Sequence, residues 1–253
     1  MDEWLGLLRS LAIYWRPGHR RGLVRLYRTF VEPGDLVFDI GAHLGDRTAA
    51  FAALGARVVA LEPHPRLLPW LNRLVGGREG VLIRAEAVGP APGSATLAMS
   101  RRTPTVSTLA HDWRGRIGRT NPTFARVRWE EGVEVPLTTL DALIREHGLP
   151  RFCKIDVEGY EAQVLQGLSV ALPAVSMEFV SGSLGVAREC VDRLQELAEY
   201  EFNAIRGEGR TFLFDGWRSA DQIRGWLDGG AGDASSGDLY ARRIPDTPRG
   251  PTP

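Results

Sequence analysis

The chain has 253 residues, 43% of them hydrophobic and 25% charged, which is enough for one substantial α/β core and too apolar for disorder through most of its length. With 31 basic and 31 acidic residues the net charge is zero, so no global field gathers nucleic acid or an anionic membrane. No apolar run approaches the ~18 residues of a membrane span, the acidic Met1-Asp2-Glu3 start lacks a signal peptide's basic first region, and Cys153 and Cys190 read as reduced core thiols, so a cytoplasmic location is expected.

Trp4 to Trp15 is apolar and helix-compatible, and Arg16, His19, Arg20, Arg21, Arg25 and Arg28 follow it. Residues 1–30 therefore read as a helical extension, an amphipathic helix and then a basic one, packed on the main domain with its charges in solvent; contact with a membrane surface or an acidic substrate is the alternative. From Val31 short apolar runs alternate with helical segments, as in βαβ units around a parallel sheet. Strands are expected at Leu36 to Ile40, Arg57 to Leu61 and Val81 to Ala85, with helices over Asp46 to Leu54 and Pro65 to Leu74 between them.

Arg101 to Gly132 shows no sustained period, and so long an irregular segment inside a compact domain reads as a substrate-covering loop, with a variable surface excursion as the alternative. Thr139 then caps a helix from Leu140 to His147, Phe152 to Val157 is a fourth strand, Tyr160 to Leu168 is helical, and Val175 to Val180 is a fifth strand. Val186 to Tyr200 reads as a long amphipathic helix, Phe202 to Ile205 and Thr211 to Phe214 as strands, Ala220 to Leu227 as a helix and Gly229 to Gly237 as a flexible linker. Asp238 to Arg242 supplies a last strand, closing a main domain at 31–242, and residues 243–253 read as a disordered tail.

Three motifs carry chemistry. In Phe38-Asp39-Ile40-Gly41-Ala42-His43-Leu44-Gly45 a strand runs into a glycine turn; Gly41 allows a sharp bend beside a ligand and Gly45 close packing where the helix begins. A dinucleotide fold would show G-x-G-x-x-G, whereas here three residues separate the glycines and Asp39 precedes them. An acid at such a turn suits a ligand with a positive centre, and S-adenosylmethionine has a sulfonium and an ammonium; Asp39, Gly41, Ala42, His43 and Gly45 are the candidate contacts. The second motif ends at Glu62-Pro63, about 20 residues after Gly41, where a carboxylate accepts hydrogen bonds from ribose hydroxyls. After the third strand, Glu86-Ala87-Val88 lies where an adenine would sit, with Ala87 as the contact.

The third motif is Lys154-Ile155-Asp156-Val157-Glu158-Gly159-Tyr160-Glu161, at the carboxyl end of the fourth strand, and Glu178 ends the fifth. Ligands bind outside these strand ends where the strand order reverses, so Asp156, Glu158 and Glu178 are expected near one crevice. Three carboxylates there can orient or deprotonate a hydroxyl, or hold a divalent metal. Glu161 reads as structural, and Lys154, the sole Lys in the chain, either as the ion-pair partner of a neighbouring carboxylate or as a solvent-facing charge at the strand edge.

Together these motifs, with Val135-Pro136-Leu137-Thr138-Thr139-Leu140-Asp141 and Val164-Leu165-Gln166-Gly167, resemble the FkbM-type methyltransferase family over roughly Val31 to Phe214. The resemblance implies a Rossmann-like, doubly wound, mostly parallel sheet with a terminal antiparallel hairpin, S-adenosylmethionine as methyl donor, and O-methylation of a sugar or polyketide-type hydroxyl. The family often has Asn where this chain has His43. Asp156 is the first candidate for the group acting on the acceptor and Glu158 the second; His43 and His111 rank lower for want of an orienting partner. The competing readings are a catalytically silent binding module on the same fold and a nicotinamide-dependent oxidoreductase. A nucleic-acid acceptor would call for an Asn/Asp-Pro-Pro-aromatic motif and a basic face, so a small-molecule or glycosyl acceptor is expected.

Overall fold

The computed structural model describes residues 2–16 and 18–245. Helices α1 (Asp2–Tyr14) and α2 (His19–Tyr27) open the chain, and α2 buries Leu23, Leu26 and Tyr27 while its arginines stay exposed. Then β1 (Leu36–Ile40), α3 (Asp46–Ala53), β2 (Arg57–Leu61), α4 (Leu68–Val75) and β3 (Val81–Arg84) alternate much as the apolar runs predict. The middle of the chain holds β4 (Ala87–Val88), β5 (Gly93–Met99), α5 (His111–Thr120) and β6 (Glu131–Thr138). Helix α6 (Leu140–His147), β7 (Phe152–Ile155), α7 (Glu161–Gln166), β8 (Ala174–Val180), α8 (Leu184–Leu197), β9 (Tyr200–Arg206), α9 (Ala220–Asp228) and β10 (Ser236–Arg243) complete it.

The main sheet has the order β3-β2-β1-β7-β8-β10-β9. Pairing is parallel except at β10, which runs antiparallel to both β8 and β9, so the reversed terminal pair expected from the family resemblance is present. The chain winds outward from β1 to β3 and then crosses back to β7, which places the order reversal, and hence a crevice, at the carboxyl ends of β1 and β7. Strand β1 is buried along its whole length because helices cover both faces, which is why it reads as an apolar run broken only by Asp39. One layer is an aromatic cluster in which Tyr27, Phe30, Phe51, Phe152 and Tyr240 pack together. The opposite layer packs α6, α7 and α8 residues such as Leu143, Leu165 and Val191, and it includes the buried free thiols Cys153 and Cys190.

The structure departs from expectation mainly outside the βα repeats. A second, three-stranded sheet, β4-β6-β5, was not foreseen: β5 and β6 bury only alternate or terminal residues and contain Gly93, Gly132 and Pro136, so they lack an apolar run. The 101–132 segment is not irregular. It carries α5 and two 3₁₀ turns, Pro104–Val106 and Pro122–Phe124; α5 buries only Trp113 and Ile117, a single i, i+4 pair too short to show a period. Residues 211–214 form no strand, with Leu213 N–H bonding to the Ala204 carbonyl at 2.8 Å. The expected linker at Gly229 to Gly237 instead holds a 3₁₀ turn at Ala231–Asp233, anchored by the fully buried Ala231, and the start of β10. Helix α8 stops three residues before Tyr200, which begins β9. The expected tail lies, from 246 onward, outside the described residues. Among the described residues no helix is long and apolar enough to cross a membrane.

Candidate active site

The register of β1 against β7 pairs Ile40 with Ile155, so the glycine turn and the Asp156 segment leave the sheet side by side. Gly41 has φ +77°, and a Cβ there would lie 1.9 Å from the Asp156 carbonyl oxygen, which only glycine tolerates. His43 is also left-handed, at φ 53°, and its backbone N–H donates to Glu62 Oε2 at 2.7 Å while His64 N–H donates to Oε1 at 2.8 Å. These two bonds fix the Glu62 carboxylate across from the turn, and each oxygen keeps a lone pair for a ligand hydroxyl. Burial pushes the Glu62 pKa up to about 7, against the opposing pull of the two N–H donors.

Two expected cofactor contacts lie away from the cavity. The Asp39 side chain points from β1 into the body of the protein, where Oδ2 accepts a 2.5 Å bond from Thr48 Oγ1 and Oδ1 has no partner. It ties β1 to α3 beneath the turn. A Cβ on Gly45 would lie 2.6 Å from Leu71 Cδ1, so this glycine lets α3 pack on α4.

Opposite Glu62, Asp156, Glu158 and Glu178 bring carboxylate oxygens within 4.8 Å of one another. Lys154, 2% exposed, donates from Nζ to Asp156 Oδ2 at 2.5 Å. Burial alone would raise the Asp156 pKa, but the Lys154 ammonium, and after it Arg47, hold the carboxyl below its ordinary value. Burial pushes Glu158 and Glu178 well above the carboxylate range, and the charges of their acidic neighbours add to it. Each has an Oε2 without a hydrogen-bond partner. Glu158 itself is left-handed, at φ 56°, and Glu161 holds this bend by accepting the N–H groups of Val157 and Gly159 at 3.0 and 3.3 Å. Glu161 is thus a structural clamp.

Gly41, Ala42, His43, Glu62, Ala87 and the three carboxylates line one cavity, whose empty space of about 1110 Å³ includes a mouth open to solvent. Over residues 39–228 the sequence matches the family described as Methyltransferase FkbM domain. The chain belongs to this family. It is an S-adenosylmethionine-dependent methyltransferase. A relative, the hexuronic acid methyltransferase AglP of Haloferax volcanii, is 26% identical over 190 residues, covering 74% of this chain and 73% of that protein. Looser likenesses reach solved structures. The precorrin-6y C5,15-methyltransferase of Geobacter metallireducens is 10% identical with a TM-score of 0.47, covering 89% of this chain and 87% of that one. A TehB-like SAM-dependent methyltransferase of Corynebacterium glutamicum is 10% identical, also at 0.47, covering 95% and 96%.

Within this FkbM domain the chemistry of the cavity fits a nucleoside with a positive centre: a buried carboxylate faces the glycine turn, and the wall beyond it is acidic. Residues that sequence reasoning missed complete the cavity. Tyr14, which lies before the matched region, sets its ring edge-on to His43 at 5.5 Å, and Arg47 and Glu208 pair at 3.1 Å on the same wall. Thr105 to Leu109 close one side, and Thr108 Oγ1 donates to the Glu158 carbonyl at 2.7 Å. The Glu158 bend is held on this side too. His111 stays exposed on α5 beside Arg114, outside the cavity. His43 lines the cavity, and burial lowers its pKa to about 4, so the ring is neutral and its buried Nε2 is unpartnered.

Proposed function

We propose that this FkbM domain methylates a hydroxyl oxygen of a sugar or polyketide-type small molecule, with Asp156 receiving the hydroxyl's proton and Glu158 and Glu178 orienting the acceptor. The observation that carries this reading is the convergence of three carboxyl groups, two with unpartnered oxygens, across one cavity from Glu62. The sugar acid named for AglP supports a glycosyl type of acceptor. Bound S-adenosylmethionine supplies an electrophilic methyl carbon. Glu62 would hold its ribose hydroxyls, the Gly41 to His43 turn its amino-acid end, and Ala87 its adenine.

The rest is positioning by the chain. Asp156 stays ionised at neutral pH beside Lys154, so it is the member of the cluster ready to accept a hydrogen bond from a hydroxyl. An alcohol turns strongly acidic as its oxygen forms a new bond to carbon, so even a weakly basic carboxylate takes the proton. Protonated Glu158 and Glu178 each offer an O–H donor as well as acceptor oxygens, enough to fix a polyol in one orientation. The 104–109 turn and Tyr14 line the cavity, and with an acceptor seated between them they would leave little room for water to compete.

A second reading has its own observation. Oxygens within 4.8 Å of one another on Asp156, Glu158 and Glu178 match what a hard divalent cation requires. Such a cation would lower the hydroxyl's pKa. The Lys154 ammonium already neutralises Asp156, so the metal-free version is preferred. The test is release of the demethylated cofactor with a panel of glycosides, in chelator and with added Mg²⁺ or Mn²⁺. Turnover insensitive to chelator supports the base, turnover restored only by metal supports the cation, and no turnover despite tight cofactor binding supports the silent module. The family assignment leaves the nicotinamide reading without support, and calorimetric binding of NAD but not S-adenosylmethionine would overturn the proposal.

A further inference from the structure

The methyl-transfer reading leaves the basic N-terminal helix without a role. Beside the main cavity lies a second concavity with about 860 Å³ of empty space, and Tyr14 and Asp46 line both. Arg16, Arg20 and Arg21, all exposed, form its outer wall around the start of α2, where Gly18 provides no side-chain cap. Among the described residues none of these three guanidinium groups pairs with a carboxylate. Asp46, the single carboxylate among the described residues of this wall, is already engaged by Arg47 Nη1 at 2.9 Å and His19 Nε2 at 3.0 Å. The groove therefore carries the charge of three uncompensated guanidinium groups, to which the amino end of α2 adds a partial positive charge.

The main cavity has the opposite character. Its cations are both engaged, Arg47 by Asp46 and Glu208 and Lys154 by Asp156, whereas Glu158 and Glu178 have oxygens without partners. A ligand lying across both spaces past Tyr14 must present an anion at one end and hydroxyl groups at the other. Guanidinium forks match phosphate oxygens in pairs, and carboxyl groups match sugar hydroxyls.

We infer that the acceptor is a phosphate- or diphosphate-bearing sugar, its phosphates held by Arg16, Arg20 and Arg21 while a hydroxyl reaches Asp156 past Tyr14. This rests on the proposed hydroxyl acceptor and gives it a chemical class. A nucleoside diphosphate sugar and a polyprenyl diphosphate sugar share that chemistry, and both would seat the same group in the same groove.

The test uses inorganic pyrophosphate as the probe, by calorimetry, on the wild type and on R16Q/R20Q/R21Q, whose substitutions are all on exposed side chains. Wild-type binding is expected to weaken with salt, and the triple variant to bind about tenfold more weakly or worse, while S-adenosylmethionine affinity stays within about twofold. UDP binding more tightly than pyrophosphate identifies the nucleotide source; retention on phosphatidylcholine vesicles only when they carry a polyprenyl diphosphate identifies the lipid source. Either result supports the inference. Pyrophosphate that fails to bind, or binds the variant as well as the wild type, overturns it, and so does binding to phosphatidylglycerol vesicles that pyrophosphate does not displace. A wild type that ignores S-adenosylmethionine would strike instead at the methyl-transfer reading, so the two failures are separable.

Discussion

Replacing Asp156 by Asn removes the partner of an ammonium group that has almost no access to water. The Lys154 side chain is 2% exposed and that of Asp156 27%, with Nζ and Oδ2 2.5 Å apart. Removing one member of a buried pair costs about 3–5 kcal/mol because the other charge is left uncompensated, and the partial opening of Asp156 to the cavity places this case near 3. For a chain of this length that lowers Tm by roughly 6–12 °C. The pH dependence has a definite sign. A depressed carboxyl pKa contributes stability that is present above its unfolded value, about 3.9, and is lost as pH falls through the folded value, so wild type and variant should converge in acid. Urea unfolding reads the loss as a lower midpoint with an unchanged slope, and K154M/D156N should recover to within about 1 kcal/mol of the wild type. S-adenosylmethionine affinity in Asp156→Asn should stay within about tenfold, roughly 1.4 kcal/mol, while turnover falls much further. A single variant with the wild-type midpoint, or a double variant no more stable than the single, refutes the desolvated pair. Loss of cofactor binding with normal turnover at saturation refutes the acceptor role.

Other consequences are open to measurement. Ribose hydroxyls donating to Glu62 favour its ionised form, so cofactor binding near pH 7 should release protons, read as an enthalpy that varies with buffer; Glu62→Ala should abolish this and cost about 1.5–3 kcal/mol of affinity. Burial also raises Glu161 to about 7 and Asp238 to about 6, and a raised carboxyl pKa gives stability that is lost as pH rises through it, so the ligand-free protein should melt higher near pH ~5 than near pH ~8. Gly41→Ala should lower Tm as well as cofactor affinity, since its Cβ would meet the Asp156 carbonyl at 1.9 Å in a left-handed conformation; unchanged values in both would misplace the turn. Trp113 packs against Gly159, where a Cβ would come within 2.5 Å of the ring, so Trp113→Ala should cost about 3–5 kcal/mol and raise hydrogen exchange over the Glu158 bend; protection unchanged there would deny that α5 supports it.

The readable part of this molecule was the part buried on both faces. Strands β1, β2 and β7 show as short apolar runs interrupted only by Asp39, Arg57 and Lys154, and the sequence alone sets Glu62, Asp156 and Glu158 just past their ends, where the crevice lies. Asp39 shows where pattern reasoning stops. Its place before Gly41 suggested the ligand, but neighbouring residues on a strand face opposite ways: Ile40 lines the cavity and Asp39 turns to Thr48. Tyr14, Arg47 and Glu208 meet only in three dimensions, from segments far apart in sequence, and no local spacing marks them. Helix α5 was hidden because Gly115, Gly118 and its arginines dilute one buried pair, and β5 and β6 because a sheet with one wet face has little apolar sequence to display.

The placement of β10 between β8 and β9 has a consequence for how the chain acquires its shape. During synthesis β9 emerges one helix, α9, ahead of β10, which among the described residues is the strand that joins it to the sheet, so it cannot dock by ladder hydrogen bonds until β10 has appeared. Until then β8 offers an open edge, the feature through which nascent chains pair with the wrong partner. The half of the sheet that carries Gly41 and Glu62 needs no such wait, since β1, β2 and β3 are consecutive and local. Early cofactor binding to that half would leave the edge untouched, and the slow, aggregation-exposed step of folding belongs to the insertion of the last strand.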